Sequence, residues 1–294
     1  MRLAQSIGLH EETVPSDSPS AVVSNFQRKR LWYIYFHLFL NPRLGANQRR
    51  QRRWMLLWQD TFLSFTYDRP PSTIKLSSSI PYDGGPGNHS FADSVMTLCR
   101  ILLERARKDD EVETTAAILG YKHRMEQILD ANVAAPFLLD KSSCHTLQDH
   151  LERLALRIHV CYGVMRVCRL ALETTSDTAS DLIDEETLKK ECADRAAEAV
   201  ESFLDMHRFS SLVCRSWAFV HNAVSCALTL QSLGTTGMQS SRAQRIVKRL
   251  VSVLEREESL SSWEDSDTNV RSFGPFSRAL RALRDAVGFG DFNS

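Results

Sequence analysis

An all-α fold, a multi-helix bundle of amphipathic helices around a central buried helix with no significant sheet, is predicted by three observations. Hydrophobic residues recur at helical spacing through most of the chain, no segment alternates with period two between turns, and one segment is apolar on almost every side. The clearest stripe is Leu147, Leu151, Leu154, Ile158, Cys161, Met165, Cys168 and Leu172. It spans about seven turns, and its face must be buried against other elements.

The elements follow in order. A helix containing Trp54 to Phe65 is stopped by Pro70-Pro71, because proline lacks an amide proton and restricts the residue before it. An irregular stretch runs from Ser72 to Asn88. Within it Tyr82-Asp83-Gly84-Gly85-Pro86-Gly87 reads as plain turns: no strand precedes it and no Gly-Lys-Ser/Thr follows, as a phosphate loop would require. Ser90 followed by Asp93 forms a capping-box pattern, so the next helix starts there and runs through Arg107.

Beyond the long stripe, Cys192, Ala196, Ala199, Phe203 and Met206 mark another amphipathic helix. Leu212 to Leu230 is apolar nearly all round, which predicts that it is the central helix, closed by Gly234. Gly234 to Ser241 reads as a loop before a helix around Arg242 to Glu257. Phe276, Leu280, Leu283 and Val287 form a last stripe with Arg278, Arg281 and Arg284 off its apolar face. Residues 1–234 are therefore expected to form one helical domain, and 235–294 a helical extension packed on it.

Composition narrows the class of protein. Lys plus Arg equals Asp plus Glu, 36 each in 294 residues, so net charge offers no electrostatic reason for nucleic acid or an anionic membrane as partner. Charge is uneven locally. Residues 1–60 carry nine Arg or Lys against Glu11, Glu12, Asp17 and Asp60. Glu173, Asp177, Asp181, Asp184, Glu185 and Glu186 lie in or beside a Ser/Thr-rich stretch that reads as an exposed loop.

The seven cysteines, Cys99, Cys144, Cys161, Cys168, Cys192, Cys214 and Cys226, are odd in number and widely spaced in a chain too long to need a disulfide framework. They are expected to be reduced, which implies an intracellular protein. The N-terminus lacks a signal-peptide apolar run, and Leu31 to Leu40 is about half of the roughly 20 residues that a membrane span needs. The expectation is a soluble chain with no membrane partner.

Motifs that carry chemistry are absent from the sequence. There is no Cys-x-x-Cys or His-x-x-x-His pair for a metal, and no Gly-x-Ser-x-Gly or His-Glu-x-x-His. Cys161 and Cys168 share the apolar face of the long stripe, so they read as structural thiols, as do Cys192, Cys214 and Cys226. Cys144-His145 is the one adjacent pair, with no third ligand visible. His159 and His221 fall in predicted buried helices, where a hydrogen-bonded core or pocket histidine and a catalytic base are the two alternatives. Arg49-Arg50-Gln51-Arg52-Arg53 reads as the solvated start of a helix, with nuclear import or phosphate contact as the functional alternative. No catalytic, cofactor or metal residue is assigned, and the chain is not read as an enzyme.

Two segments do carry a resemblance. Met1-Arg2-Leu3-Ala4-Gln5-Ser6-Ile7-Gly8-Leu9-His10 resembles the Arg-x-Ala-x-x-Leu-Gly-Leu-His segment of the regulatory domain, or middle homology region, of fungal zinc-cluster transcription factors of the xylanolytic-activator type. Arg52-Arg53-Trp54, continuing through Asp60 to Asp68-Arg69-Pro70-Pro71, resembles that family's second hallmark, with Asp68 where glycine is common. Fainter similarity extends to about residue 232. The signature positions are thus Gly8, Leu9, His10, Arg52, Arg53, Trp54, Asp60, Arg69 and Pro70, all read as structural. Arg69 is expected to bond carbonyls or pair with Asp60, and Trp54 and Trp58 to share a helix face.

The resemblance implies a nuclear protein that regulates RNA polymerase II transcription, commonly of metabolic or biosynthetic gene clusters. Its implied partners are the transcription machinery or a second copy, with room for a small-molecule effector. Zinc and DNA contact are implied only for a six-cysteine cluster that this chain does not contain, since Met1 falls inside the regulatory region. The alternative is a truncated paralogue acting only as a protein-interaction module.

The basic-then-Trp motif is also doubled, at Gln27-Arg28-Lys29-Arg30-Leu31-Trp32 and at Arg49 to Trp54. This suggests an insertion at about residues 31–49, of the kind an unspliced intron would leave, and a truncated gene model.

Overall fold

The computed structural model describes residues 48–67, 70–73, 89–107, 114–130, 132–175, 185–233, 237–262 and 280–285. Among these residues the fold is all-α, and the sole extended pairing is an isolated bridge between His89 and Ala134. The chain divides into two compact units, residues 1–83 with 95–111, and residues 84–94 with 112–294.

The first unit contains α1, Gln48–Tyr67. From Leu57 to Thr66 it is buried on nearly all sides, with Leu57, Trp58, Phe62 and Phe65 as its apolar members. Trp58 and Phe62, one turn apart, meet edge to face at 6.2 Å. Thr61 turns its hydroxyl back onto the Leu57 carbonyl at 2.6 Å, which removes a polar group from the apolar face. The helix is over before Pro70, as the two prolines require.

The next helix, α2, is Phe91–Ala106. Its start is the capping box that Ser90 and Asp93 predict: the Ser90 amide donates to Asp93 Oδ2 at 3.0 Å, and the Asp93 amide donates to Ser90 Oγ at 3.3 Å. From Val95 onward α2 belongs to the first unit, where Leu98, Cys99 and Leu103 are fully buried.

The second unit is a bundle of α3, Thr115–Glu126, the single turn α4, Pro136–Leu139, α5, Leu147–Thr175, α6, Glu185–Phe209, α7, Trp217–Ser232, and α8, Gly237–Ser262. A helical segment at 280–285 adds buried Leu280 and Leu283. Central to the unit is α5, which packs against α3, α4, α6 and α7. It starts at a reciprocal cap, in which the Thr146 amide donates to Asp149 Oδ2 at 2.9 Å and the Asp149 amide donates to Thr146 Oγ1 at 3.1 Å.

Residue pairs fix the direction of α5 against α6. His150 meets Phe209, Arg157 meets Glu198, and the Cys192 thiol donates to the Met165 carbonyl, so the two helices run antiparallel. The predicted α6 stripe is buried throughout, from Cys192 to Met206. Burying each large apolar side chain of that face contributes about 1.5–3 kcal/mol before entropy.

Three expectations are corrected. The centre is held by α5 and not by 212–230: Ala155, Leu156, Ile158, His159, Val160, Cys161, Tyr162, Val164 and Met165 are all sealed, whereas Trp217, His221, Ser225 and Leu228 of α7 are half-buried. Segment 212–230 is also not one helix. A 3-10 turn at Ser211–Arg215 precedes an extended Ser216, and α7 starts after it. The region read as a loop from Gly234 to Ser241 is already helical from Gly237.

At its ends the long stripe is less buried than predicted, with Leu147 55% exposed and Leu151 and Leu172 half-buried. The turns at 82–87, the acidic stretch 176–184, Gly234, the doubled motif at 27–32 and the insertion at 31–47 lie outside the described residues.

Candidate functional site

Where the signature residues fall can be stated position by position. Gly8, Leu9, His10 and Arg69 lie outside the described residues. Arg52, Arg53 and Trp54 are helical backbone in α1. Asp60, three turns into that helix, is buried, 3% exposed, and its Oδ2 accepts the Thr73 amide at 2.6 Å. Pro70 is exposed and Pro71 buried. A buried acidic side chain two turns before the end of the signature helix therefore pins the turn after the double proline, through a hydrogen bond from the backbone. The pairing with Asp60 that is one of two roles expected of Arg69 lies outside the described residues; the Thr73 bond is one that residue spacing does not reveal.

The candidate chemical groups of the second unit have structural surroundings. His159 is fully buried, stacked on Phe219 at 5.2 Å, with Asn222 Nδ2 3.3 Å from its Nδ1. Burial holds its pKa down at about 3, so the ring stays neutral. A neutral ring accepts the amide proton at Nδ1; protonation would set two donors face to face. Having no exposed surface, the His159 ring itself has no path to a substrate.

Half-buried His221 stacks on Trp217 at 5.2 Å, lies edge-on to Tyr162, and has Nε2 3.1 Å from Ser225 Oγ. Burial and then the nearby Arg166 lower its pKa. It titrates below ordinary histidine and sits closer to the surface than His159. These two groups sort the alternatives left open by sequence: His159 is a core histidine, and His221 is accessible.

All seven cysteines are free thiols. Burial pushes Cys168, Cys192 and Cys214 up to about 12 and holds Cys99, Cys161 and Cys226 well above the ordinary thiol range, so none of these six supplies a thiolate at neutral pH. Half-buried Cys144 donates to the Phe137 carbonyl at 3.3 Å, beside the exposed His145. Among the described residues no group of three or more His, Cys, Asp or Glu side chains is placed to hold a metal ion, and no helix is long and apolar enough to cross a membrane.

Sequence spacing also misses a charged seam that joins four helices. Lys122 of α3 bridges Glu126 and Glu191 at 3.2 and 2.9 Å, Arg195 of α6 bridges Glu126 and Glu198 at 3.1 and 2.9 Å, and Glu198 also holds Arg157 of α5. Arg157 then donates to the last carbonyl of α4, Leu139 O, at 2.9 Å. A half-buried network of this kind sets helix register more than it adds stability, because removing the charges from water offsets much of their attraction.

Such a combination defines a helical-bundle protein with a carboxylate-pinned turn in one unit and a sealed, ion-seamed core in the other. Comparison with protein families finds no matching family model, and comparisons with curated proteins and with solved structures give no match.

Proposed function

We propose that this chain is the helical regulatory region of a fungal zinc-cluster transcription factor, a nuclear module that controls RNA polymerase II transcription through protein partners. The observation that carries the reading is the Asp60 to Thr73 hydrogen bond at 2.6 Å. It ties the helix that carries Arg52, Arg53 and Trp54 to the turn after Pro70-Pro71, so the elements of the second resembling segment meet in one local structure. The all-helical architecture is compatible with the same family. DNA recognition, in this reading, belongs to a zinc cluster outside these residues, and zinc is a ligand of that cluster alone.

The experiment tethers the whole chain to a heterologous DNA-binding domain in a fungal host and measures transcription of a reporter. The expected result is at least a threefold change in either direction relative to the DNA-binding domain alone, together with nuclear enrichment of a fluorescent fusion. A reporter that does not respond overturns the regulatory reading and leaves the interaction-module reading. Specific binding of duplex DNA by the purified chain at physiological salt would contradict the assignment of DNA contact to another domain.

A further inference from the structure

The first turns of α5 carry three basic side chains at i, i+3 and i+7, His150, Arg153 and Arg157, which places them on one helix face over about 10 Å. Arg157 is the one with obvious partners, Glu198 and Leu139 O, yet its Nε is buried and has none. The His150 ring lies flat on Phe209 at 5.1 Å, and its Nδ1 is buried without a hydrogen-bond partner.

Arg153, between them, is 9% exposed. Its Nε is buried and unpaired, and among the described residues it makes no hydrogen bond or ion pair. Its one electrostatic neighbour is Asp140, whose exposed carboxylate is already accepting from the Ser142 amide and hydroxyl. Other carboxylates on α5 and α6 are also engaged: Glu152 by Gln148, Glu198 by Arg157 and Arg195, Asp205 by Arg208.

A buried lysine in this position would shed its proton. A guanidinium cannot, so its charge persists and calls for a counter-charge in the folded protein. The Arg153 charge is partly removed from water without an ion pair, its Nε sealed and its Nη groups not, and a bound anion that accepts from the planar fork offsets that cost. The same end of the helix pair also carries the two exposed large hydrophobics among the described residues. Phe209, 40% exposed, is the ring stacked on His150, and Leu147, 55% exposed, precedes His150 by one turn on the same face. Elsewhere among the described residues large apolar side chains are buried or half-buried.

From this juxtaposition we infer that the His150–Arg153–Arg157 face of α5 is a binding site for a small amphipathic oxyanion, a carboxylate or phosphate head on an apolar or aromatic body. Arg153 binds the head through its two Nη groups, which are not among the sealed atoms, and Phe209 and Leu147 receive the body. The inference does not rest on the regulatory reading: an unresponsive reporter would remove that reading and leave anion binding in place, and the reverse.

Titration calorimetry of the whole purified chain, at constant ionic strength in chloride, with phenyl phosphate, phenylacetate, inorganic phosphate and acetate tests it. At least one of the two aromatic anions is expected to bind saturably, at least tenfold more tightly than its small counterpart, and the tighter of the two names the head group. Arg153→Met keeps the length and apolar stem while removing the charge. It is expected to weaken binding at least tenfold and, without anion, to melt no lower than the parent, since a partly desolvated charge with no ion pair has been removed.

Arg242→Met, remote on α8, is the control and should bind as the parent does. Three results would overturn the inference: no saturable binding of either aromatic anion, unchanged affinity in Arg153→Met, or a lower melting temperature of Arg153→Met, which would mean that the folded chain itself supplies the partner.

Discussion

Helices α5 and α7 cross in the same bundle, and each is suited to a different place by its own residues. Along α7 the side chains are apolar nearly all round, while α5 is striped, with Arg153, Arg157, His159 and Arg166 interrupting its other faces. Yet α5 is sealed through its middle, and α7 keeps a half-buried side at Trp217, His221, Ser225 and Leu228. Burial of a helix depends on how many elements surround it. Four helices surround α5, and two of its polar members are accommodated by specific partners, Asn222 for His159 and Glu198 for Arg157. Polar groups in a core are tolerated when satisfied, and the pattern of a single helix does not reveal whether the partner exists.

The largest expected difference lies in the cores of the two helices. Ile158→Ala should cost about 2–5 kcal/mol by urea denaturation, because the sealed site cannot refill the lost volume, whereas Leu228→Ala should cost only about 1 kcal/mol. Equal costs would break the distinction between centre and flank.

His159 and His221 sharpen the comparison through pH. The His159 pKa of about 3 in the fold lies below its ordinary value of 6.5, so the unfolded chain takes up a proton first as pH falls. The stability it contributes is whole above pH 6.5 and is lost on going down towards 3. Between pH 7 and pH 5 that loss is about 2 kcal/mol, and His159→Gln should flatten the unfolding profile by that amount. His221→Gln, at a half-buried position, should flatten it less. A larger effect at His221 would reverse the ranking of the two sites.

The smallest effects concern how the two helices begin. Thr146→Ala removes the reciprocal cap of α5 and should lower stability by about 1 kcal/mol. The Ser216 hydroxyl at the start of α7 is buried and bonded to nothing, so Ser216→Ala should leave the thermal midpoint unchanged or raised. A marked loss at Ser216 would give that hydroxyl a role the geometry does not.

Elements governed by neighbours in sequence were legible. The Ser90 and Asp93 cap, the end of α1 before Pro70, and the buried Cys192 to Met206 face all follow from contacts three or four residues apart. The break at Ser211–Arg215 was not, since a run of apolar residues has the same periodicity whether or not a turn divides it. Around the signature turn, the sequence marked Asp60 but not its partner, because a backbone amide thirteen residues away has no side-chain identity to read. Arg153 is not legible for a related reason: beside the Leu154 stripe it resembles the solvated arginines of any amphipathic helix.

By itself the sequence determined that this chain is helical, where several of its helices start and stop, and that Cys161, Cys168, Cys192 and Cys226 face inward, because propensity, capping and periodicity act within a few turns. Tertiary structure alone decided that α5 is the centre, that His159 is sealed while His221 is not, and that Arg153 is buried without a described counter-ion. Those properties depend on what distant segments bring to a residue, and removal from water is a consequence of packing that no local pattern encodes.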